Sequence, residues 1–232
     1  MWDKLSIEAV CESSILVRFS DEININLPHY INAVAELIVA QHANSIMNIT
    51  PSYTTLLIDY LPYRVSEDEF IASVASVLHD VEVNLTALSY NTIVLPVFYD
   101  ESVAPDLAAV MEARKLSKQD LIALHTGQEY TVCAIGFTPG FAFLANVPEP
   151  LATPRLKTPR LSVAKGSLGI ADRQTAIYPT QTPGGWNIIG NCPVPLFDPA
   201  SEKLSPFRIG DKVKFESIDR DYYFELGGEL WD

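Results

Sequence analysis

Residues 136–199 are punctuated so densely that neither a long helix nor a long strand can form there. Just over a quarter of the 232-residue chain, they hold 7 of its 11 glycines and 10 of its 16 prolines. Proline removes a backbone donor and fixes φ, and glycine frees the chain to turn. Short β-prone runs survive between these breaks at 168–171, 175–178 and 186–189, with another beyond them at 212–217. Many short strands separated by Gly/Pro turns predict a β-barrel rather than a sandwich of long strands. Two short helices, about 103–113 and 117–125, and a strand at 130–137 lead into this region. Ser117-x-x-Asp120 caps the second helix in a capping-box pattern.

The first ninety residues follow a different rule, with strands and helices in alternation. Ser14-Ile-Leu-Val-Arg-Phe19 is rich in β-branched and aromatic residues and predicts a strand. Pro28 opens a helix at a favoured early position, with Ile31, Val34, Ala35, Ile38 and Val39 on one face. Strands follow at 46–50 and 54–60, with Pro51-Ser52 in the turn between them. Ser66-Glu-Asp-Glu69 is a capping box ahead of a second apolar stripe, Phe70, Ile71, Val74, Val77 and Leu78. A closing strand is expected within 81–88 or 92–99. The order β-α-β-β-α-β predicts a ferredoxin-like α/β sandwich over residues 1–90, and the barrel then occupies 91–232. The fold class is α+β.

Charge separates the same regions. The chain carries a formal −13, yet between Pro154 and Arg173 the cations Arg155, Lys157, Arg160, Lys165 and Arg173 face one acid, Asp172. Clustered cations on an acidic surface focus field on anions, and a Gly-rich backbone can add N–H groups to the same purpose. This basic island predicts a phosphate or carboxylate site. The acidic remainder argues against nucleic-acid binding. No apolar run reaches the roughly 18 residues needed to span a bilayer, and no signal-peptide pattern opens the chain, so neither membrane insertion nor export is expected. Cys11, Cys133 and Cys192 are odd in number and widely spaced, which fits a reducing cytoplasm and no zinc site. His29, His42 and His79 have no partners at metal-ligand spacing, so no metal is expected.

Two motifs stand inside the punctuated region. Gly136-Phe-Thr-Pro-Gly-Phe-Ala-Phe-Leu144 sets a turn among three aromatics, with Gly140 placed for positive φ after Pro139. Pro183-Gly-Gly-Trp186 is a sharp turn followed at once by a large ring. Read together with His125, Pro159-Arg160, Lys165-Gly-Ser167, Gln174-Thr175, Tyr178-Pro179, Gly190, Leu196-Phe-Asp198 and Gly210-Asp211, this order is similar to the KipI family. Its members are also called B-type subunits of 5-oxoprolinase, allophanate hydrolase subunit-one homologues and Kip-type inhibitors of a sporulation sensor histidine kinase. The resemblance spans almost the whole chain. Two departures stand out: Ala164-Lys-Gly-Ser167 where the family has Pro-Ala-Gly-Ser, and Arg173 where a glycine precedes Gln174.

The resemblance implies a small N-terminal α+β domain followed by a cyclophilin-like β-barrel. It also implies a role as the B-type component of a multi-subunit 5-oxoprolinase, which opens the lactam of 5-oxo-L-proline to L-glutamate with ATP as co-substrate. The implied partners are the A-type and C-type (KipA-like) components of 5-oxoprolinase, one of which would hold ATP. The alternatives carried by the same family are a protein inhibitor that binds a sensor histidine kinase, and a component of urea carboxylase or allophanate metabolism. Phosphoryl transfer asks chiefly for positioning and for cations where negative charge accumulates. Arg155, Arg160, Lys165, Gly166, Ser167, Gln174, Gly184, Gly185 and Trp186 are therefore the expected substrate or anion site, with the three cations converging on one ligand. His125 is the expected acid/base, with a role as a helix-end cation as the competing reading. The chain has no Walker-type G-x-x-x-x-G-K-[ST], which points to one part of a composite site.

Overall fold

Alternation in the first ninety residues resolves into two antiparallel hairpins, each followed by a helix. The computed structural model describes residues 4–83 and 90–231 and divides into two units, Met1–Tyr90 and Asn91–Asp232. In the first unit, β1 (Ser6–Cys11) and β2 (Ser14–Arg18) precede α1 (Leu27–His42), and β3 (Ile46–Pro51) and β4 (Thr55–Tyr60) precede α2 (Glu67–Val83). The sheet order is β1-β2-β4-β3, antiparallel throughout. Period-two alternation turns Ile15 and Val17 of β2 and Leu56, Ile58 and Tyr60 of β4 inward. There they meet Ile31, Val34 and Ile38 of α1 and Phe70, Val74 and Val77 of α2 in one core. The Ser66 box forms as read: Glu69 N donates to Ser66 Oγ and Ser66 N donates to the Glu69 carboxylate.

The expected β-α-β-β-α-β order is not what this unit shows. It is β-β-α-β-β-α, with β1 as an unanticipated first strand. Residues 81–83 complete α2, residues 84–89 lie outside the described residues, and Thr92–Val97 belongs to the other unit's sheet. β2, α1 and β3 form a split β-α-β with β4 inserted between the strands. The remaining edge beside β2 is taken by β1 through the tight Glu12-Ser13 turn. Local closure of this kind loses little loop entropy.

The second unit is built on a seven-stranded sheet of order β12-β9-β10-β7-β6-β13-β5. Its strands are β5 (Thr92–Val97), β6 (Glu129–Ile135), β7 (Ala142–Ala145), β9 (Ser167–Ala171), β10 (Gln174–Ile177), β12 (Asn187–Asn191) and β13 (Lys212–Ser217). Only the β13–β5 pair is parallel. Phe98, just past β5, exchanges two backbone hydrogen bonds of 2.9 Å with Asn191 at the end of β12, so the two edges meet in a nearly closed, barrel-like sheet. A separate two-stranded ribbon pairs β8 (Arg160–Val163) with β11 (Thr182–Gly184). Helices α3 (Leu107–Arg114), α4 (Lys118–Thr126) and α5 (Arg220–Glu225) complete the unit.

Its main core joins Leu95, Val97, Leu107, Leu121, Val132, Leu144, Ile170 and Phe215. A second cluster gathers Phe141, Val163, Ala171, Ala176, Tyr178, Trp186 and Ile188. The Gly/Pro stretch therefore yields short barrel strands, as its punctuation predicts.

Candidate functional site

The aromatic motifs of the punctuated stretch fold back on each other and leave a cavity of about 390 Å³ between them. Gly140 takes φ 81, which turns the chain so that Phe141 and Phe143 enter from one side. Tyr178 and Trp186 close the other. Phe141 meets Phe143, Tyr178 and Trp186 edge to face, with ring centroids 4.8, 5.3 and 5.6 Å apart. This geometry sets the positive edge of one ring against the negative face of the next. Phe137, more than half exposed and at φ 72, forms the rim. Gly184 is needed for close approach, because a Cβ there would collide with the Tyr178 hydroxyl.

Two cations line the same cavity. The Arg155 guanidinium lies 5.8 Å over the Trp186 ring, a cation–π contact, and Lys157 follows two residues on. Neither forms an ion pair among the described residues. Burial raises the Tyr178 hydroxyl above its usual range, against a hydrogen bond from the Trp186 backbone and the charges of Arg155 and Arg160, which pull it back. Tyr178 thus stays protonated. No carboxylate, histidine, thiol or aliphatic hydroxyl lines this cavity. It can hold an anion against an apolar wall, but it offers no general base and no nucleophile.

The expected site residues divide among several places. Arg155, Gly184, Gly185 and Trp186 line the aromatic cavity together. Lys165 and Gly166 line a second, more polar cavity of about 630 Å³, to which Ser162 and Gln181 from the ribbon strands' surroundings also contribute. Ser167 is fully buried at the start of β9, and its hydroxyl has no partner. Gln174 is half-buried at the start of β10, registered against Ala145 and Ala171. Neither lines a described cavity.

Arg160 does not join Arg155 and Lys165. Its Nη2 donates to Asp106 Oδ1 at 2.5 Å, while Asp106 Oδ2 accepts from the backbone of Ile188 at 2.7 Å. The pair ties the start of α3 to β12. The reason is partly extension: β8 separates Arg160 from Val163 by about 10 Å and carries Lys165 further still. Asp106 is the residue that sequence reasoning missed. Its only local signal is an acid after Pro105 at a helix entry, just where a cap would sit, and it makes no cap bond with its side chain.

His125 is not a surface acid/base, nor a helix-end cation. It is fully buried on α4 and stacks on Phe215 at 4.7 Å. Thr175 Oγ1 donates its one proton to Gly169 O, so it accepts from His125 Nε2 at 3.2 Å, and Tyr99 donates to Nδ1 at 2.8 Å. Every polar atom of the ring is satisfied in its neutral form. Burial drives its pKa down from 6.5 to about 3.

Burial also pushes the Cys133 and Cys192 thiols up to about 12, which leaves no buried thiolate at neutral pH. Among the described residues no group of three or more His, Cys, Asp and Glu could hold a metal ion, and no helix is long and apolar enough to cross a membrane.

Comparison with known proteins adds to this geometry. The family described as carboxyltransferase domain, subdomain C and D, matches residues 5–207. The B subunit of 5-oxoprolinase from Bacillus subtilis (strain 168) is 36% identical over 230 residues, which is 95% of this chain and 96% of that protein. The crystal structure of TTHA0988 superposes with a TM-score of 0.79 at 31% identity. It covers 89% of this chain, which spans only 40% of that longer one. The K. lactis urea amidolyase structure covers 98% of this chain and 16% of its own, with a TM-score of 0.72 at 13% identity, a likeness of fold alone.

Proposed function

The chain belongs to the carboxyltransferase domain, subdomain C and D, family, and from that membership we propose that it is the B-type component of a multi-subunit, ATP-dependent 5-oxoprolinase. The observation that carries the reading is the 36% identity to the B subunit of a 5-oxoprolinase across nearly the full length of both proteins. The aromatic cavity supports it chemically. 5-Oxo-L-proline is a small ring with one carboxylate, and the cavity pairs ring-sized apolar walls with two cations. Arg155 would grip the carboxylate through two donors, and Trp186, Phe141 and Phe143 would pack on the ring and keep water out. The urea-carboxylase and kinase-inhibitor readings are not favoured, since the urea amidolyase likeness does not extend beyond the fold.

The lactam carbonyl is a poor electrophile. ATP activates it by transferring its γ-phosphoryl group to the carbonyl oxygen, after which water adds to the carbon, the C–N bond breaks and phosphate leaves. This chain's cavity supplies orientation and charge but no base, so the catalytic groups and the ATP site fall to partners of the A and C type. Mixing the purified components should give 5-oxoproline-dependent ATP hydrolysis that the single chain lacks. In the complex, Arg155→Ala should raise KM for 5-oxoproline by roughly ten- to a hundredfold with its melting temperature unchanged. Arg160→Ala should instead lower the melting temperature, since it strands Asp106. Full turnover by the single chain, or an Arg155→Ala complex with normal KM, would sink the proposal.

A further inference from the structure

The second cavity carries charges of both signs. Its lining includes Lys165 and Glu229, and no other lining residue is charged. Neither makes an ion pair among the described residues. The two are held around one space by a hydrogen-bond relay. Asn191 Nδ2 donates to the backbone carbonyl of Lys165 at 3.0 Å, and the Tyr223 hydroxyl lies 3.1 Å from Asn191 Oδ1 and 2.7 Å from the backbone carbonyl of Glu229. Trp231 N, bonded to Ser102 O at 3.1 Å, pins the far end of the segment that carries Glu229. The charged positions are therefore fixed by buried side chains on strand and helix, although both charged side chains are themselves exposed.

A cation and an anion in one polar cavity fit a zwitterion. A nucleoside triphosphate would meet a single lysine and be repelled by Glu229, and a plain carboxylate would leave Glu229 unpaired. The contrast with the aromatic cavity is chemical. That cavity has cations only, which suits 5-oxoproline, whose nitrogen is a neutral amide. Hydrolysis of the lactam breaks the C–N bond, places the water oxygen on the carbon as a second carboxylate, and leaves the nitrogen as an ammonium. The ammonium is the group that Glu229 would pair with.

The geometry points to the Lys165–Glu229 cavity as a binding site for a free acidic α-amino acid, L-glutamate, the product of the reaction; the choice of ligand rests on the oxoprolinase reading. Lys165 takes a carboxylate and Glu229 the ammonium. The site is distinct from the aromatic cavity that holds the substrate, so product can occupy the chain without displacing 5-oxoproline. Lys165 stands where the family pattern has alanine, which makes the site a property of this chain.

Calorimetric titration of the purified full chain with L-glutamate, glutarate and 5-oxo-L-proline tests this. L-Glutamate should bind, and Lys165→Ala and Glu229→Gln should each weaken it by about tenfold or more. Glutarate lacks the ammonium, so it should bind the wild type more weakly than glutamate does and be indifferent to Glu229→Gln. Because both side chains are exposed, neither change disturbs the core, which a thermal melt confirms. No saturable glutamate binding by the folded wild type, glutamate binding untouched by both changes, or glutarate binding as tight as glutamate overturns the proposal. A reconstituted complex that ignores 5-oxoproline while glutamate binding keeps this charge dependence removes the oxoprolinase reading and leaves the site. Turnover without glutamate binding does the reverse.

Discussion

A neutral imidazole sealed between Tyr99, Tyr130, Thr175 and Phe215 responds to acid in a definite direction. Its folded pKa is about 3, against 6.5 for an exposed histidine, and burial is the cause. Above pH 6.5 His125 is neutral in both states and the burial carries no proton-linked penalty. As pH falls below 6.5 the unfolded chain takes up a proton that the folded chain refuses, so stability declines until the pH approaches 3. The slope from this one group is at most about 1.4 kcal/mol per pH unit. His125→Gln keeps donor and acceptor but cannot titrate. Urea unfolding from pH 7 to pH 4 should therefore show the wild type losing stability relative to His125→Gln; parallel curves would show that the residue is not buried neutral.

The reading of His125 from sequence went wrong for an identifiable reason. Leu121 and His125 are four apart on one helix, and both are buried, so the spacing already placed the ring on the core face. Arg160 could not have been read the same way, because its partner Asp106 lies 54 residues earlier and no local pattern marks the pair. The aromatics were legible as a group. Phe141, Phe143 and Trp186 stood beside turns, and those turns are what bring them to one cavity.

At the level of elements, the strongest sequence signals were the ones that satisfy the backbone locally. Helix α4 begins as its capping box requires: Ser117 Oγ accepts from Asp120 N at 3.1 Å, and Ser117 N donates to the Asp120 carboxylate. Ser117→Ala removes the acceptor for one otherwise orphaned N–H and should cost about 1 kcal/mol. Denaturant unfolding should show this as a lower midpoint with an unchanged slope, and a neutral result would mean that water replaces the cap freely. The elements that were missed are those whose formation depends on distant partners. β1 is an edge strand with four of its six residues exposed, so it has almost no burial pattern to read. β8 and β11 are four and three residues long and are defined by pairing with each other alone.

For the whole molecule, the important boundary is the one that decides which strands close the barrel. From its residues alone, β5 is a candidate for either half. It pairs along its full length with β13, from Thr92 against Lys212 to Val97 against Ser217, and Phe98 beyond it completes the join to Asn191. Asn91 is bound as well: its N–H donates to the buried carboxylate of Asp211, which also accepts from Arg208 N. A fragment starting at residue 91 therefore keeps every strand of the seven-stranded sheet and the whole of its core. A fragment starting at residue 99 loses β5, opens the edge of β13, and strips Leu95, Val97 and Phe98 from the core. Burying such side chains contributes about 1.5–3 kcal/mol each, so their joint loss rivals the roughly 5–15 kcal/mol net stability of a domain. The fragment 91–232 should unfold cooperatively and bind 5-oxoproline as the full chain does, while 99–232 should show no cooperative transition. If 99–232 folds normally, β5 is not part of what holds the barrel. If 91–232 does not fold, the division at residue 90 is not a division into independent domains.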